Sequence, residues 1–357
     1  MDSFEYQANP SRVIFGSGTI ARIPAELERL GLSKPLILST PQQTSQAEDI
    51  KKILNGKVAA LFGEATMHTP VSITEKASGV ALDSGADSII SIGGGSTIGL
   101  GKAISFRTGL YHLTIPTTYA GSEVTPILGE TQDGRKSTTS DPKILPGTVI
   151  YDVDLTMTLP ASLSTTSGIN AIAHAVEALY ARNGNPIISL LAQEGVKALA
   201  EALPVIKENP SSKEARSRAL YGAWLCGTCL GSVGMSLHHK LCHTLGGSFN
   251  LPHAETHTIV LPHALAYNAP SVPQAMAALA TALPESDGDA IQGLNRLLQK
   301  LEVVRDLQSF GMKEENVAQA TEIAVSNPYW NPRAIEPSSI QELIRRAWAG
   351  EEAKADL

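Results

Sequence analysis

The sequence predicts an α/β unit with a mainly parallel sheet, followed by an all-helical unit. In the first half, short apolar segments alternate with segments of helical periodicity, a pattern typical of parallel strands covered on both faces. In the second half, strand signals fade and long Ala- and Leu-rich stretches with helical periodicity take over. We therefore expect an α/β domain over residues 1–156 and a helical domain over residues 157–357, with a site in the cleft between them.

The strands of the first half are predicted from short runs of Val, Ile and Leu that end at turn residues. These runs are Arg12–Phe15, Pro35–Ser39, Val58–Phe62, Ser88–Ile92, Leu113–Ile115 and Val149–Tyr151. Helices fill the segments between the first strands, one of them opening at Gly16-Ser17-Gly18, and Asp133-Gly134 predicts a hairpin turn. In the second half the predicted helices are Gly168–Ala181, Ile187–Ile206, Lys213–Leu230 and Gln274–Leu283.

Composition excludes several classes of function. A net charge of −7 argues against a nucleic-acid partner, which requires an electropositive face. No apolar run approaches the roughly 20 residues that span a bilayer, and the first residues do not resemble a signal peptide. The three cysteines indicate a reducing compartment without disulfides, and Cys226 and Cys229 are interpreted as buried helix residues. We expect a cytoplasmic protein that does not contact a membrane.

A glycine-rich turn, Gly93-Gly94-Gly95-Ser96, follows a predicted strand and precedes a predicted helix. Glycines let backbone N–H groups approach a phosphate, and a helix N-terminus carries about half a positive charge. The alternative is a tight structural turn; the position after a buried strand favours the phosphate interpretation. Thr117 and Thr118 follow the next strand, where they either bind a ligand or belong to an ordinary loop.

Seven of the nine histidines lie between His174 and His263. Asn170 and His174 share one helix face at a spacing of i, i+4, and His239 and His243 repeat that spacing. A lone histidine is usually a structural residue. A cluster of this density favours a metal site or a proton-transfer site.

These motifs, in this order, resemble the iron-containing alcohol dehydrogenase family over essentially the whole chain. The resemblance implies a dehydroquinate synthase-like fold, with an N-terminal half that binds NAD(P) and a helical half that holds a divalent metal. Its metal positions correspond to Asn170, His174, His239 and His253. The family has an aspartate where this chain has Asn170, and a neutral amide is a poorer ligand for a divalent cation. We therefore expect a site without a metal.

Within that family, the chain resembles the branch that reduces maleylacetate to 3-oxoadipate in the breakdown of aromatic compounds. The resemblance lies in the stretch Pro116–Glu123, the tripeptide Asn331-Pro332-Arg333 and the segment Ile344–Trp348. Hydride addition to a double bond conjugated to a ketone leaves an enolate, which histidine can stabilise and protonate. We expect His243 and His253 to be catalytic. Asn170, His174, His239 and Tyr119 would bind the small dicarboxylate substrate.

The resemblance also implies the cofactor-binding residues and the assembly. The cofactor residues are Gly93, Gly94, Gly95, Ser96, Thr117, Thr118, Lys136 and Thr40. Because Thr40 stands where some NAD-specific relatives carry an aspartate that repels a 2′-phosphate, we expect NADH with NADPH also accepted. The relatives imply a homodimer.

Three alternatives remain open on the sequence. One is a metal-dependent alcohol dehydrogenase of the same family. Another is a lyase-type synthase on the same scaffold that uses NAD transiently, although the helical half is sparse in the basic residues that a phosphorylated substrate requires. The third is a non-catalytic metal-binding or structural protein, against which the glycine turn and the threonine pair argue.

Overall fold

The computed structural model describes residues 3–9, 11–133 and 135–357, with the Lys136 side chain outside the description. The chain divides into two compact units. One is Ala8–Leu159, and the other is Pro160–Leu357 with the first segment of the chain through Gln7. The domain boundary expected after residue 156 stays a prediction.

The first unit is built on a six-stranded sheet in which every neighbouring pair is parallel. Its strands are β1 Arg12–Gly16, β2 Pro35–Leu38, β3 Ala60–Phe62, β4 Ser88–Gly93, β5 Tyr111–Pro116 and β8 Thr148–Asp152, in the order β1-β8-β5-β4-β2-β3. Strands β6 Ile127–Gln132 and β7 Arg135–Ser140 form a separate antiparallel pair. The predicted parallel sheet is confirmed. The predicted turn residue Gly134 lies outside the described residues.

Helices α1 Ile23–Leu30, α2 Thr44–Ile53, α3 Val71–Asp83 and α4 Gly95–Thr108 accompany the sheet. Successive strand residues enter different hydrophobic clusters: Ile90 packs with α1 and α2 residues, whereas Ile89 packs with α3 and α4 residues. Both sheet faces are thus covered, which explains the continuous apolar strands.

Two element boundaries differ from the predictions. The helix expected to open at Gly16–Gly18 starts instead with a 3₁₀ turn over Thr19–Arg22, because Gly18 is left-handed at φ 69° and Pro24 favours the first α-helical turn. Strand β3 is shorter than Val58–Phe62 because it forms the edge of the sheet and has a pairing partner on one side alone.

The second unit contains helices throughout its described length, and no strand occurs among those residues. Its helices are α5 Ala161–Ala178, α6 Pro186–Glu208, α7 Lys213–Ser232, α8 Leu237–Phe249, α9 His253–Asn268, α10 Pro273–Ala282, α11 Ala290–Lys300, α12 Asn316–Ser326 and α13 Pro337–Ala349. The predicted start of α5 at Gly168 is wrong, because this glycine lies inside the helix. A Cβ at Gly168 would come within 2.6 Å of Leu203, so the glycine permits close packing of α5 on α6.

The three cysteines are buried free thiols, and Cys226 and Cys229 lie inside α7 as predicted. Among the described residues, no single helix is long and apolar enough to cross a membrane. Helices α7 and α8 satisfy that length and composition only together, and they are bent by 95°.

Candidate active site

The glycine turn lies where β4 ends and α4 begins. Gly93 has φ 148°, and a Cβ there would approach the side chains of Gln43 and Thr97 to 2.6 Å, so glycine is required. Gly94 precedes the first turn of α4, and no side chain caps that helix. The uncapped N-terminus leaves backbone donors for an anion. Ser96 is the second residue of α4, and its side chain does not cap that helix.

The ends of neighbouring parallel strands bring further predicted residues to this turn. The Thr117 backbone N–H donates to the Gly93 carbonyl at 3.0 Å. Gln43 Nε2 donates to Thr117 Oγ1 at 2.8 Å, and Thr40 Oγ1 donates to Gln43 Oε1 at 3.2 Å. The structure thus connects Thr40, Thr117 and Gly93 through Gln43, which has no motif that could have revealed it.

Lys102 on α4 fastens the loop that follows the threonine pair. Its Nζ donates to Thr125 Oγ1 and to the Ile127 carbonyl, both at 2.9 Å, and burial lowers its pKa to about 7. Thr118 lies against the turn, 3.0 Å from the position of a Cβ on Gly94. The Tyr119 side chain is fully buried, and its substrate-binding role stays a prediction. The predicted role of Lys136 falls on a side chain outside the described residues.

The histidine cluster is assembled from α5, α8 and α9 of the helical unit. Asn170, His174 and Glu177 follow one another on a single face of α5, at spacings of four and three residues. Helix α8 contributes His238, His239 and His243, and α9 contributes His253 and His257. The imidazoles come together because α9 packs against both α5 and α8.

His239 lies at the centre of the cluster. Its ring centroid is 5.3 Å from His174, 5.2 Å from His238, 5.1 Å from His257 and 6.1 Å from His243. His253 joins through His257, at 4.4 Å between centroids. All five predicted residues of this unit therefore belong to one cluster or flank it.

The two predicted catalytic histidines lie at the exposed side of the cluster, whereas its remaining members are buried. His243 Nδ1 is 3.0 Å from the hydroxyl of Tyr329. The Lys240 ammonium lies 5.7 Å from the centre of the Tyr329 ring, in a cation–π contact. A polar substrate would meet this exposed side first.

Burial and mutual repulsion keep three of the inner imidazoles neutral. The pKa of His174 is lowered well below its usual value by desolvation, and then by repulsion from neighbouring histidines. The pKa values of His238 and His257 are lowered well below the usual value for the same two reasons. Neutral imidazoles have both a donor and an acceptor nitrogen.

Four buried polar atoms of the cluster have no hydrogen-bond partner within the described chain. They are Asn170 Oδ1, His174 Nδ1, His239 Nε2 and His257 Nε2. Buried polar atoms are normally satisfied, so a group of four in one place indicates a site that a polar ligand completes.

A different trio, His238, Cys242 and His257, has ligand atoms within 4.8 Å of one another. A hydrogen bond of 2.9 Å between His238 Nε2 and His257 Nδ1 accounts for the approach of the two rings. Burial raises the pKa of the Cys242 thiol well above its usual value, which opposes the thiolate that a metal requires.

Several site residues were not predicted from the sequence, although two of them have a spacing that could have revealed them. His257 lies four residues after His253, a third i, i+4 pair, and Glu177 continues the α5 face of Asn170 and His174. Tyr329 had none, because it comes from a distant loop after α12.

Comparison with known proteins identifies the family of this chain. The iron-containing alcohol dehydrogenase model matches residues 10–153, and the C-terminal model of that family matches residues 164–348. The chain is 51% identical over 350 residues to a maleylacetate reductase from Rhizobium sp. (strain MTP-10005), covering 98% of this chain and 99% of that protein. It is 52% identical over 347 residues to one from Sphingobium indicum, covering 97% and 98%.

Solved structures agree with this placement. The crystal structure of a maleylacetate reductase from Agrobacterium tumefaciens matches this structure with a TM-score of 0.95 and 51% sequence identity. The match covers 99% of this chain and 100% of that chain. A 1,3-propanediol oxidoreductase at 24% identity still gives a TM-score of 0.90, which shows the shared fold. The chain therefore belongs to the iron-containing alcohol dehydrogenase family of oxidoreductases.

Proposed function

We propose that this enzyme reduces the conjugated double bond of maleylacetate with NADH, giving 3-oxoadipate. The observation that carries the proposal is the group of four unsatisfied buried polar atoms in the histidine cluster. Relatives at about half identity over nearly the full length are maleylacetate reductases, which supports this substrate. We further propose a cytoplasmic homodimer that acts in the breakdown of aromatic compounds.

The turn after β4 fits a dinucleotide. A Cβ at Gly93 would strike two side chains, and the uncapped start of α4 suits a pyrophosphate. Thr40 and Thr117 would lie by the ribose and the phosphates. Because Thr40 has no charge to repel a 2′-phosphate, we expect NADPH to serve as well.

The donor set of the cluster does not fit the divalent ion that the family name implies. Asn170 and the three family-position histidines are all neutral donors, and no carboxylate is among them. His174 Nδ1 has no acceptor within the described residues, whereas a metal-ligating histidine normally donates its other ring N–H to a partner. The proposed reaction therefore uses side chains of the protein and the nicotinamide cofactor, without a metal ion.

When bound, the reduced nicotinamide supplies a hydride to the carbon–carbon double bond of maleylacetate. The chain must then stabilise the enolate oxygen and protonate the neighbouring carbon. Imidazole N–H groups of the cluster suit the enolate, and the exposed His243 and His253 can exchange protons with solvent. Lys240, beside His243 on α8, is a cation for a substrate carboxylate.

One observation favours the alternative, a metal-dependent alcohol dehydrogenase. His239 Nδ1 lies 2.7 Å from the Glu177 carboxylate, and Nε2 has no partner among the described residues, which is the arrangement of a metal-ligating histidine. The two functions differ in substrate and in metal requirement, so one set of assays separates them.

The test is NADH consumption by the purified enzyme with maleylacetate, with the product identified by mass spectrometry. We expect 3-oxoadipate from the wild type and a loss of about 100-fold or more in kcat/KM for His239→Ala. His68→Asn, an exposed histidine at φ 66°, is the matched control and should keep full activity. Oxidation of simple alcohols without maleylacetate reduction would instead establish the alternative.

A further inference from the structure

Glu177 is a fully buried carboxylate at the end of α5 that accepts three hydrogen bonds. Its Oε2 atom is 2.7 Å from both the Ser236 backbone N–H and His239 Nδ1, and its Oε1 accepts from the His238 backbone N–H at 2.7 Å. An unpaired buried carboxylate costs several kcal/mol, so this set of donors is what allows it to be there.

Two of those donors belong to the beginning of α8. Backbone N–H groups at the first turn of a helix lack partners within the helix, and no side chain of α8 itself caps them. Glu177 therefore supplies, from another helix, the negative charge that the helix N-terminus favours. This contact fixes the start of the helix that contributes His238, His239 and His243.

The third donor decides the state of His239. Because both carboxylate oxygens already accept from N–H groups that can only donate, the proton of the Glu177–His239 contact belongs on Nδ1. In a ring that carries a single N–H proton, Nε2 then has a lone pair, and Nε2 is one of the four unsatisfied atoms of the site. The other two unsatisfied imidazoles have no carboxylate contact in the described part of the chain.

We propose that Glu177 is the positioning residue of the site: it holds His239 in the Nδ1–H tautomer, so that Nε2 faces the ligand as an acceptor. The assignment deepens the proposed function and rests on it only for the identity of the ligand. Glu177 acts through His239 and does not itself touch substrate.

The substitution Glu177→Gln tests this directly. One end of an amide is a donor, and either end of the side chain faces at least one backbone N–H, so Gln cannot satisfy all three contacts. We expect His239 to lose its single tautomer and kcat/KM for maleylacetate to fall about 10- to 100-fold, mainly in kcat, with KM for NADH little changed. Glu177→Asp keeps the charge and should recover part of the loss.

The decisive readout is ¹⁵N NMR of the full-length enzyme with labelled histidine, above pH 8 so that the rings are neutral. The His239 signals are assigned by their absence in His239→Asn. Glu26→Gln is the matched control, since Glu26 is also a buried carboxylate but lies in the α/β unit. It should lose stability while the His239 tautomer and kcat stay as in the wild type.

An unchanged Nδ1–H signal for His239 in Glu177→Gln, with kcat intact, would overturn the assignment and leave Glu177 a structural cap of α8. If Glu177→Gln does not fold, the wild-type spectrum still decides the tautomer, because a proton on Nε2 of His239 in the wild type would overturn the assignment. A wild type that fails to reduce maleylacetate would refute the proposed substrate without altering the NMR result.

Discussion

The turn after β4 and the histidine cluster are both polar centres, but they are made of different groups. The turn offers backbone N–H groups at a helix start, and glycine shapes it. The cluster offers side-chain nitrogens from three helices, most of them buried, and the pKa values of His174, His238 and His257 are lowered by burial and by repulsion from neighbouring histidines. A backbone site depends on steric fit and a side-chain site on protonation, so the two centres should respond to different perturbations.

The largest expected difference is in acid. His174, His238, His257 and His263 in the helical unit have lowered pKa values, against His112 alone in the described α/β unit. Below about pH 6.5 these histidines are protonated in the unfolded chain but remain neutral in the folded protein. The stability that these histidines contribute is therefore complete above about pH 6.5, and below it falls by about 1.4 kcal/mol per pH unit for each of them.

Urea unfolding at pH 7.5 and 5.5 measures this, because all three tryptophans, Trp224, Trp330 and Trp348, lie in the helical unit. The midpoint should be clearly lower at pH 5.5 than at pH 7.5. Equal midpoints at pH 7.5 and 5.5 would mean that the inner histidines are not held neutral.

Gly93→Ala should disrupt the glycine turn after β4. The left-handed φ of Gly93 and the 2.6 Å approach to Gln43 and Thr97 should strain the turn by about 1–3 kcal/mol, weakening NADH binding roughly 10- to 100-fold. Fluorescence titration with NADH measures the loss. Gly79→Ala, in α3 with open space around it, should bind as the wild type does; comparable weakening in both variants would refute the steric account.

Asn170→Asp tests whether the amide limits metal binding in the histidine cluster. A carboxylate beside the histidines should raise the affinity for Zn²⁺ at least about tenfold, since it restores the anionic ligand. Calorimetry on the full-length enzyme measures this affinity, and the exposed Asn209→Asp is the control. Equal zinc affinity in Asn170→Asp and wild type would show that the amide is not what weakens the site.

The smallest expected effect is that of Tyr329→Phe. The substitution removes the hydroxyl that contacts His243 Nδ1, so kcat should fall about two- to tenfold, with a stability change near 1 kcal/mol or less. Steady-state kinetics and thermal melts measure both quantities, with the exposed Tyr6→Phe as control. A kcat identical to the wild type would separate Tyr329 from the site.

The sequence predicted the backbone centre more completely than the side-chain centre, and the reason is physical. Gly93–Ser96 is contiguous, and strand order brings Thr40 and Thr117 to the same edge of the sheet. Gln43 was missed because a neutral amide in a short 3₁₀ helix has no distinguishing sequence pattern.

In the cluster, the i, i+4 pairs revealed the histidines because a helix repeats its faces at that spacing. Their partners depend on tertiary packing. Glu177 caps a helix 59 to 61 residues away in sequence, and Tyr329 comes 86 residues after His243. Neither contact follows from a local pattern, although the position of Glu177 on the α5 face was visible.

In the proposed reaction, the imidazoles act without a metal ion. Turnover of chelator-treated enzyme tests this most directly. NADH oxidation with maleylacetate would be followed after prolonged chelation, with residual metal measured on the same sample. We expect the rate to match that of untreated enzyme at well under one metal ion per chain. Loss of the rate, with recovery on adding zinc or iron, would contradict the account and make His174, His239 and His253 metal ligands.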